Sequence, residues 1–172
     1  MYKYLRMASL VATVAALGTS PALAASASSA SASPQATAQV KILKPLTLTA
    51  KQNLDLGTVA LGQGTFSTTV GIAKDGTWTC DSTKVTCSAP HQVATYTVNG
   101  TNNRTVTITA GNVTMSAGTN NLVLTVDAPA TVLLPNSGNA GLDFNIGGSV
   151  ALTDTTPDGL YTGTFAVTAD YQ

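Results

Sequence analysis

Cys80 and Cys87 are the only cysteines of the 172-residue chain. In an oxidising compartment an even pair seven positions apart most simply closes one disulfide. The spacer Asp81-Ser82-Thr83-Lys84 suits a turn, so the expectation is a stapled hairpin beginning near Trp78. The chain-entropy model credits a loop this short with about 2–3 kcal/mol. A redox role would need closer spacing and a cause for a lowered thiol pKa, and neither is visible. His91, the sole histidine, follows Pro90 and reads as a loop residue rather than a catalytic base. No Gly-x-Ser-x-Gly elbow occurs, so no hydrolase triad assembles. Asp154 and Asp158 flank Thr155-Thr156-Pro157 without the dense oxygen spacing of a calcium loop, and turn chemistry accounts for them. Asn99-Gly100-Thr101, Asn103-Arg104-Thr105 and Asn112-Val113-Thr114 match the glycosylation acceptor pattern, which Asn- and Thr-rich turns also produce by chance. Trp78 and Tyr96 fit either a sugar-binding patch or a core. The expectation is a non-enzymatic protein with no catalytic residues, no cofactor and no metal.

The rest of the chain must therefore carry the function through shape. Residues 1–24 have the proportions of a secretory signal. Lys3 and Arg6 form its basic region, Met7 to Leu17 a short apolar run, and Ala22-Leu23-Ala24 a small-residue cleavage site. The run falls short of the ~20 residues that span a bilayer, so no membrane insertion is expected after cleavage. Loss of Lys3 and Arg6 leaves six basic against eight acidic residues, a net charge of −2. That balance points to neither nucleic acid nor an anionic membrane as partner. The expected destinations are the periplasm, the cell surface or the medium. Residues 25–36 are almost entirely Ala and Ser and have nothing large to bury, which predicts a disordered linker. A single domain is expected over residues 37–172.

That domain reads as all-β. Glutamate is absent, and threonine recurs 27 times between Thr37 and Thr168, often alternating with Val, Ile, Leu or Tyr. Such residues fit a pleated, half-buried surface. Strand signals fall at Val40–Leu48, Leu54–Leu61, Phe66–Ile72, Val93–Val98, Arg104–Thr109, Val113–Met115, Leu122–Val126, Leu142–Ile146 and Val150–Thr153. Asn99-Gly100 predicts a hairpin between the fourth and fifth of these, and Gly147-Gly148-Ser149 a turn between the last two. Short strands at this spacing without a helical period argue for an antiparallel sandwich.

The last fourteen residues, Gly159 to Gln172, alternate Tyr161, Phe165, Val167, Ala169 and Tyr171 on one parity against mostly polar residues on the other. A glycine fourteenth from the end and a penultimate tyrosine resemble the C-terminal strand of bacterial chaperone–usher pilins. More broadly, Ala36–Val40 through Pro45-Leu46, Leu54-Asp55-Leu56-Gly57, Gly147-Gly148 and Gly159–Tyr171 resemble the secreted bacterial family called domain of unknown function 4402. The resemblance implies an immunoglobulin-like, pilin-like sandwich lacking one strand. It further implies a C-terminal assembly strand carrying Gly159, Tyr161, Phe165, Val167 and Tyr171, and an N-terminal donor. Partners implied by it are identical subunits, a periplasmic chaperone and an usher, with fimbria-like fibres as the product. Residues 25–36 lack the large alternating side chains of a donor, whereas Val40 and Ile42 have them. These two are either the donor or the domain's own first strand. The other expected reading is a monomeric sandwich that binds a ligand such as a glycan through loops near Trp78 and Tyr96.

Overall fold

Alternation of β-branched and polar residues produces twelve strands among the described residues of the computed structural model, which are 34–136 and 141–172. The expected signal, residues 1–24, and residues 25–33 of the Ser/Ala segment lie outside them. Residues 34–39 are exposed and carry no regular secondary structure. The strands are β1 (Thr47–Gln52), β2 (Thr58–Leu61), β3 (Ser67–Ile72), β4 (Trp78–Thr79), β5 (Val85–Ser88), β6 (Ala94–Asn99), β7 (Thr105–Ala110), β8 (Val113–Ala117), β9 (Asn120–Asp127), β10 (Thr131–Leu133), β11 (Leu142–Thr153) and β12 (Val167–Tyr171). Every pairing between them is antiparallel. One sheet runs β1-β6-β11-β3-β4, with β9 joined to β11 and β8 to β9; a second is β10-β7-β12; β2 and β5 form a third. The protein is an antiparallel β-sandwich.

The long strand β11 organises the core. Phe144, Ile146, Gly148, Val150 and Leu152 share one face of it by two-residue periodicity. Phe144 and Ile146 pack with Ala94 and Val98 of β6 against Val106 and Ile108 of β7, closing the first sheet onto the second. Val150 and Leu152 pack with Val70 and Leu124 against Val85 of β5, closing the other half of the first sheet onto the β2–β5 pair. β11 pairs with β6 through Leu142–Ile146, then with β9 through Gly147–Val150 and with β3 through Gly148–Thr153. The change of partner falls at Gly147-Gly148.

Three sequence expectations are corrected here. Leu142–Ile146 and Val150–Thr153 are one continuous strand, and the glycines between them make no turn. Their service is close approach: a Cβ on Gly147 would stand 2.2 Å from the Ile72 carbonyl oxygen, and one on Gly148 would stand 2.9 Å from both Leu124 and Leu54 side chains. The Asn99-Gly100 segment is no hairpin turn, because β6 pairs with β1 and β11 while β7 pairs with β10 and β12. It is a crossover from one sheet to the other, held by Asn103 and Leu134 backbone bonds. The cystine loop is no hairpin either. Cys80 and Cys87 are bonded, but Cys80 follows β4, an edge of the first sheet, and Cys87 lies in β5, which pairs with β2. The disulfide therefore ties two sheets together.

Polar groups reinforce the edges. The Lys74 backbone N–H and ammonium both donate to the Asp127 carboxylate, at 2.9 and 2.7 Å, fastening the turn after β3 to the end of β9. Those bonds hold the Asp127 carboxyl below its ordinary pKa. A carboxyl lowered in the folded state contributes stability above its unfolded pKa of about 3.9 and loses it as pH falls through and below that value. Asp127→Asn is accordingly expected to flatten the decline of melting temperature between about pH 5 and 3. Ile146, with 0 % exposure, gives a stronger test. Ile146→Ala should cost about 2–5 kcal/mol in chemical denaturation, whereas Val123→Ala, at a side chain 56 % exposed, should stay within about 0.5 kcal/mol.

Candidate functional site

The C-terminal segment begins with a glycine because its backbone requires one. Gly159 has φ +150°, and a Cβ there would lie 2.8 Å from that of Ala117. The turn before it is held by threonines: Thr156 Oγ1 accepts the Thr153 N–H at 2.9 Å, and the Tyr161 hydroxyl donates to the Pro157 carbonyl at 2.8 Å. The expected strand from Gly159 to Gln172 is regular only over Val167–Tyr171, where it pairs with β7. Ahead of that it touches β8 at one point, with Thr162 N–H and C=O bonded to Ser116 at 3.1 and 2.9 Å.

In antiparallel pairing both backbone groups of a residue point to the same edge, and those of its neighbours point to the other. With Thr162 facing Ser116, the N–H and C=O of Tyr161 and Gly163 face away from β8. No backbone bond among the described residues engages them. The segment before β2 repeats the arrangement. Asp55 exchanges both backbone bonds with Gln92 at 2.9 and 2.8 Å, so Leu54 and Leu56 direct theirs to the opposite edge. Between these two segments lies a groove of about 830 Å³.

Apolar side chains build the groove's lining. Leu124, Val150 and Leu152, at most 6 % exposed, form its buried floor, with Leu56, Met115 and Phe165 higher on the walls. Tyr96 also lines it, stacks on Phe144 at 5.9 Å, and has its phenol pushed up in pKa by burial. Among the described residues, the charged side chains of the lining are Asp55 and Asp158, both acidic. The site is thus an apolar trough with two unpaired backbone edges and an acidic rim. No group of three or more His, Cys, Asp or Glu side chains gathers among the described residues.

The expected site residues fall in different places. Gly159, Tyr161 and Phe165 line the groove, whereas Val167 and Tyr171 lie beyond it in β12. Val40 and Ile42 precede β1, are 84 % and 85 % exposed, and belong to no strand. Trp78 and Tyr96 do not meet: Trp78 packs in the second core cluster with its ring stacked on His91 at 4.2 Å, and Tyr96 packs beside the first. Sequence reasoning missed the opposite wall, although Leu54-x-Leu56 carried the right alternation. It also missed the Tyr171 hydroxyl, which accepts the Thr101 N–H at 2.6 Å and donates to the Lys44 carbonyl at 2.7 Å. Thr101 Oγ1 in turn accepts the Lys44 N–H at 2.7 Å. A closed ring of three bonds ties the chain before β1 to the sheet crossover and to the last strand.

The family model described as domain of unknown function (DUF4402) matches residues 46–171, well over half of the chain and including both groove walls and Tyr171. No curated protein and no solved structure matches the chain. Beside the groove, the Cys80–Cys87 bond holds β5, and through it β2, against the first sheet. Reduction should therefore lower the melting temperature and loosen the Leu54–Leu61 wall. The chain-entropy model sets the loss at about 2–3 kcal/mol, and equal melting curves with and without reductant would contradict it.

Proposed function

The chain belongs to the DUF4402 family, and on that footing we propose that it is a secreted, non-enzymatic structural subunit of the bacterial surface whose sandwich accepts an added β-strand. The observation that carries this reading is the pair of unpaired backbone edges, at Leu54 and Leu56 and at Tyr161 and Gly163, on either side of one apolar trough. A small ligand could fill the trough, but only an extended peptide can supply N–H and C=O groups to both edges while placing alternate side chains on the floor. An exposed apolar edge of this kind is an aggregation hazard, so it requires a cover during export and after it.

This is the logic of pilin-like, immunoglobulin-like subunits. A periplasmic chaperone would lend a strand first, an usher would oversee its replacement, and each subunit would then complete another. The contact is heterologous and has no built-in closure, so repetition gives a fimbria-like fibre at the cell surface. The short leader-like segment and the disulfide fit export into an oxidising compartment. The alternative, a monomeric sandwich that binds a ligand such as a glycan near Trp78 and Tyr96, has less behind it, because the two rings pack in different clusters and form no common patch.

Extraction from the native host and electrophoresis without boiling test the proposal. Complexes that withstand detergent at room temperature and collapse to monomer on heating are expected. A chain that runs as monomer in every unboiled extract would contradict strand acceptance.

A further inference from the structure

Asp75-Gly76, Asn99-Gly100 and Asp158-Gly159 each put a side-chain carbonyl carbon next to a glycine amide. At such a pair the glycine nitrogen can attack Cγ of the residue before it and close a cyclic imide, because glycine has no Cβ to shield its own amide. In an open chain the Asn-Gly pair reacts fastest, since an ionised carboxylate is a poor electrophile. The fold changes that order. Asn99 ends β6 opposite Thr47, with its Oδ1 buried behind Gly141, where a Cβ would stand 2.9 Å from the Asn99 Cγ. Closing the imide there requires Asn99 to leave its strand geometry, and so requires local opening first. Asp75-Gly76 is closed off by hydrogen bonds. The Asp75 carboxylate accepts the Thr77 N–H at 2.8 Å, and the Gly76 N–H donates to the Ala73 carbonyl at 2.8 Å. The Thr77 N–H also holds the Asp75 carboxyl below its ordinary pKa, in the unreactive anionic form.

Asp158-Gly159 has neither protection. Both residues are exposed and lie between β11 and β12 outside any strand. Among the described residues, neither the Asp158 carboxyl nor the Gly159 N–H has a hydrogen-bond partner. The glycine that the backbone demands at φ +150° is also what leaves this amide bare. We infer that Asp158-Gly159 is a self-modifying site, at which one wall of the groove is rebuilt through isoaspartate. The Gly159 nitrogen attacks the Asp158 Cγ, the N–Cγ bond forms, and the amide proton leaves with the carboxyl hydroxyl as water. Water then reopens the imide. Addition at Cγ restores aspartate, whereas addition at the main-chain carbonyl leaves the backbone running through Cβ and Cγ. The net change is an isomerisation and needs no other reactant. It lengthens the chain by one carbon, about 1.5 Å, inside the loop that the Tyr161 hydroxyl closes on the Pro157 carbonyl. That closure breaks, and the Thr162 bridge to Ser116 beside it loosens. The inference holds whatever fills the groove.

The test incubates the folded, disulfide-bonded chain for weeks in mildly acidic buffer made with heavy-oxygen water, followed by digestion and mass spectrometry. Each closure and reopening leaves a heavy oxygen in the residue. Label and isoaspartate should gather at residue 158 at least ~10-fold faster than at residue 75, a barrier difference of about 1.4 kcal/mol, and faster than deamidation at residue 99. In denaturant the contrast between 158 and 75 should vanish and Asn99 should lead. Asp158→Glu, whose longer side chain closes an imide far more slowly, should lose the label at 158 and keep its melting temperature; the wild-type contrast stands without this variant. In the isoaspartate fraction of aged wild type, the amides of Ser116 and Thr162 should exchange faster than in fresh protein. Equal labelling at 158 and 75 in the folded chain, or a lead by Asn99 there, would overturn the assignment. Isoaspartate at 158 with unchanged exchange at Ser116 and Thr162 would overturn the rebuilding of the wall.

Discussion

Backbone amide and carbonyl groups cannot be left unpaired beside an apolar floor without cost. An unsatisfied buried polar group costs about 1–3 kcal/mol, and the floor itself gains only when water leaves it. The groove between Leu54–Leu61 and Gly159–Phe165 faces both demands at once. Open, its edges can turn to solvent; under a cover that offers no hydrogen-bonding groups they would be stranded. Among the common ways of covering such a surface, only an extended chain meets both requirements. The proposed strand-accepting role rests on this constraint more than on any single side chain.

The remainder of the molecule anchors the floor and both walls of that groove. β11 serves both halves of the core, so the floor residues Val150 and Leu152 are anchored through the same strand as Phe144 and Ile146. Gly147 and Gly148 let β3, β9 and Leu54 approach it closely. The disulfide ties the β2–β5 pair to the first sheet, and the Ser116–Thr162 bridge pins the opposite wall to β8. At the other end, the ring of bonds through Lys44, Thr101 and Tyr171 ties the chain before β1 to the sheet crossover and to β12.

The alternation of side chains made the all-β class, the strand positions and the buried face of the C-terminal segment legible from sequence. Which strand pairs with which was less so. Asn99-Gly100 has the local chemistry of a hairpin turn, yet the same residues serve a crossover between sheets, because turn propensity says nothing about tertiary partners. Gly147-Gly148 was ambiguous for a related reason: glycine marks a reversal and a close backbone approach with the same letter. The parity of Phe144, Ile146, Val150 and Leu152, unbroken across the pair, was the signal for one strand. Half of the site was visible in Phe165 and Tyr161; the facing wall at Leu54 and Leu56 was visible only as another strand, since a groove is a relation between segments distant in sequence. The hydroxyl of Tyr171 was invisible as a clamp for the same reason, its partners lying 70 and 127 residues away.

Amide hydrogen exchange at single-residue resolution addresses the central claim most directly. In the unassembled chain the amides of Leu54, Leu56, Tyr161 and Gly163 should exchange rapidly, while those of Asp55 and Thr162, bonded to Gln92 and Ser116, should be protected. In heat-labile complexes from the host all six should be protected together. If the four edge amides are protected already in the monomer, or stay unprotected in every complex, the groove does not receive a strand.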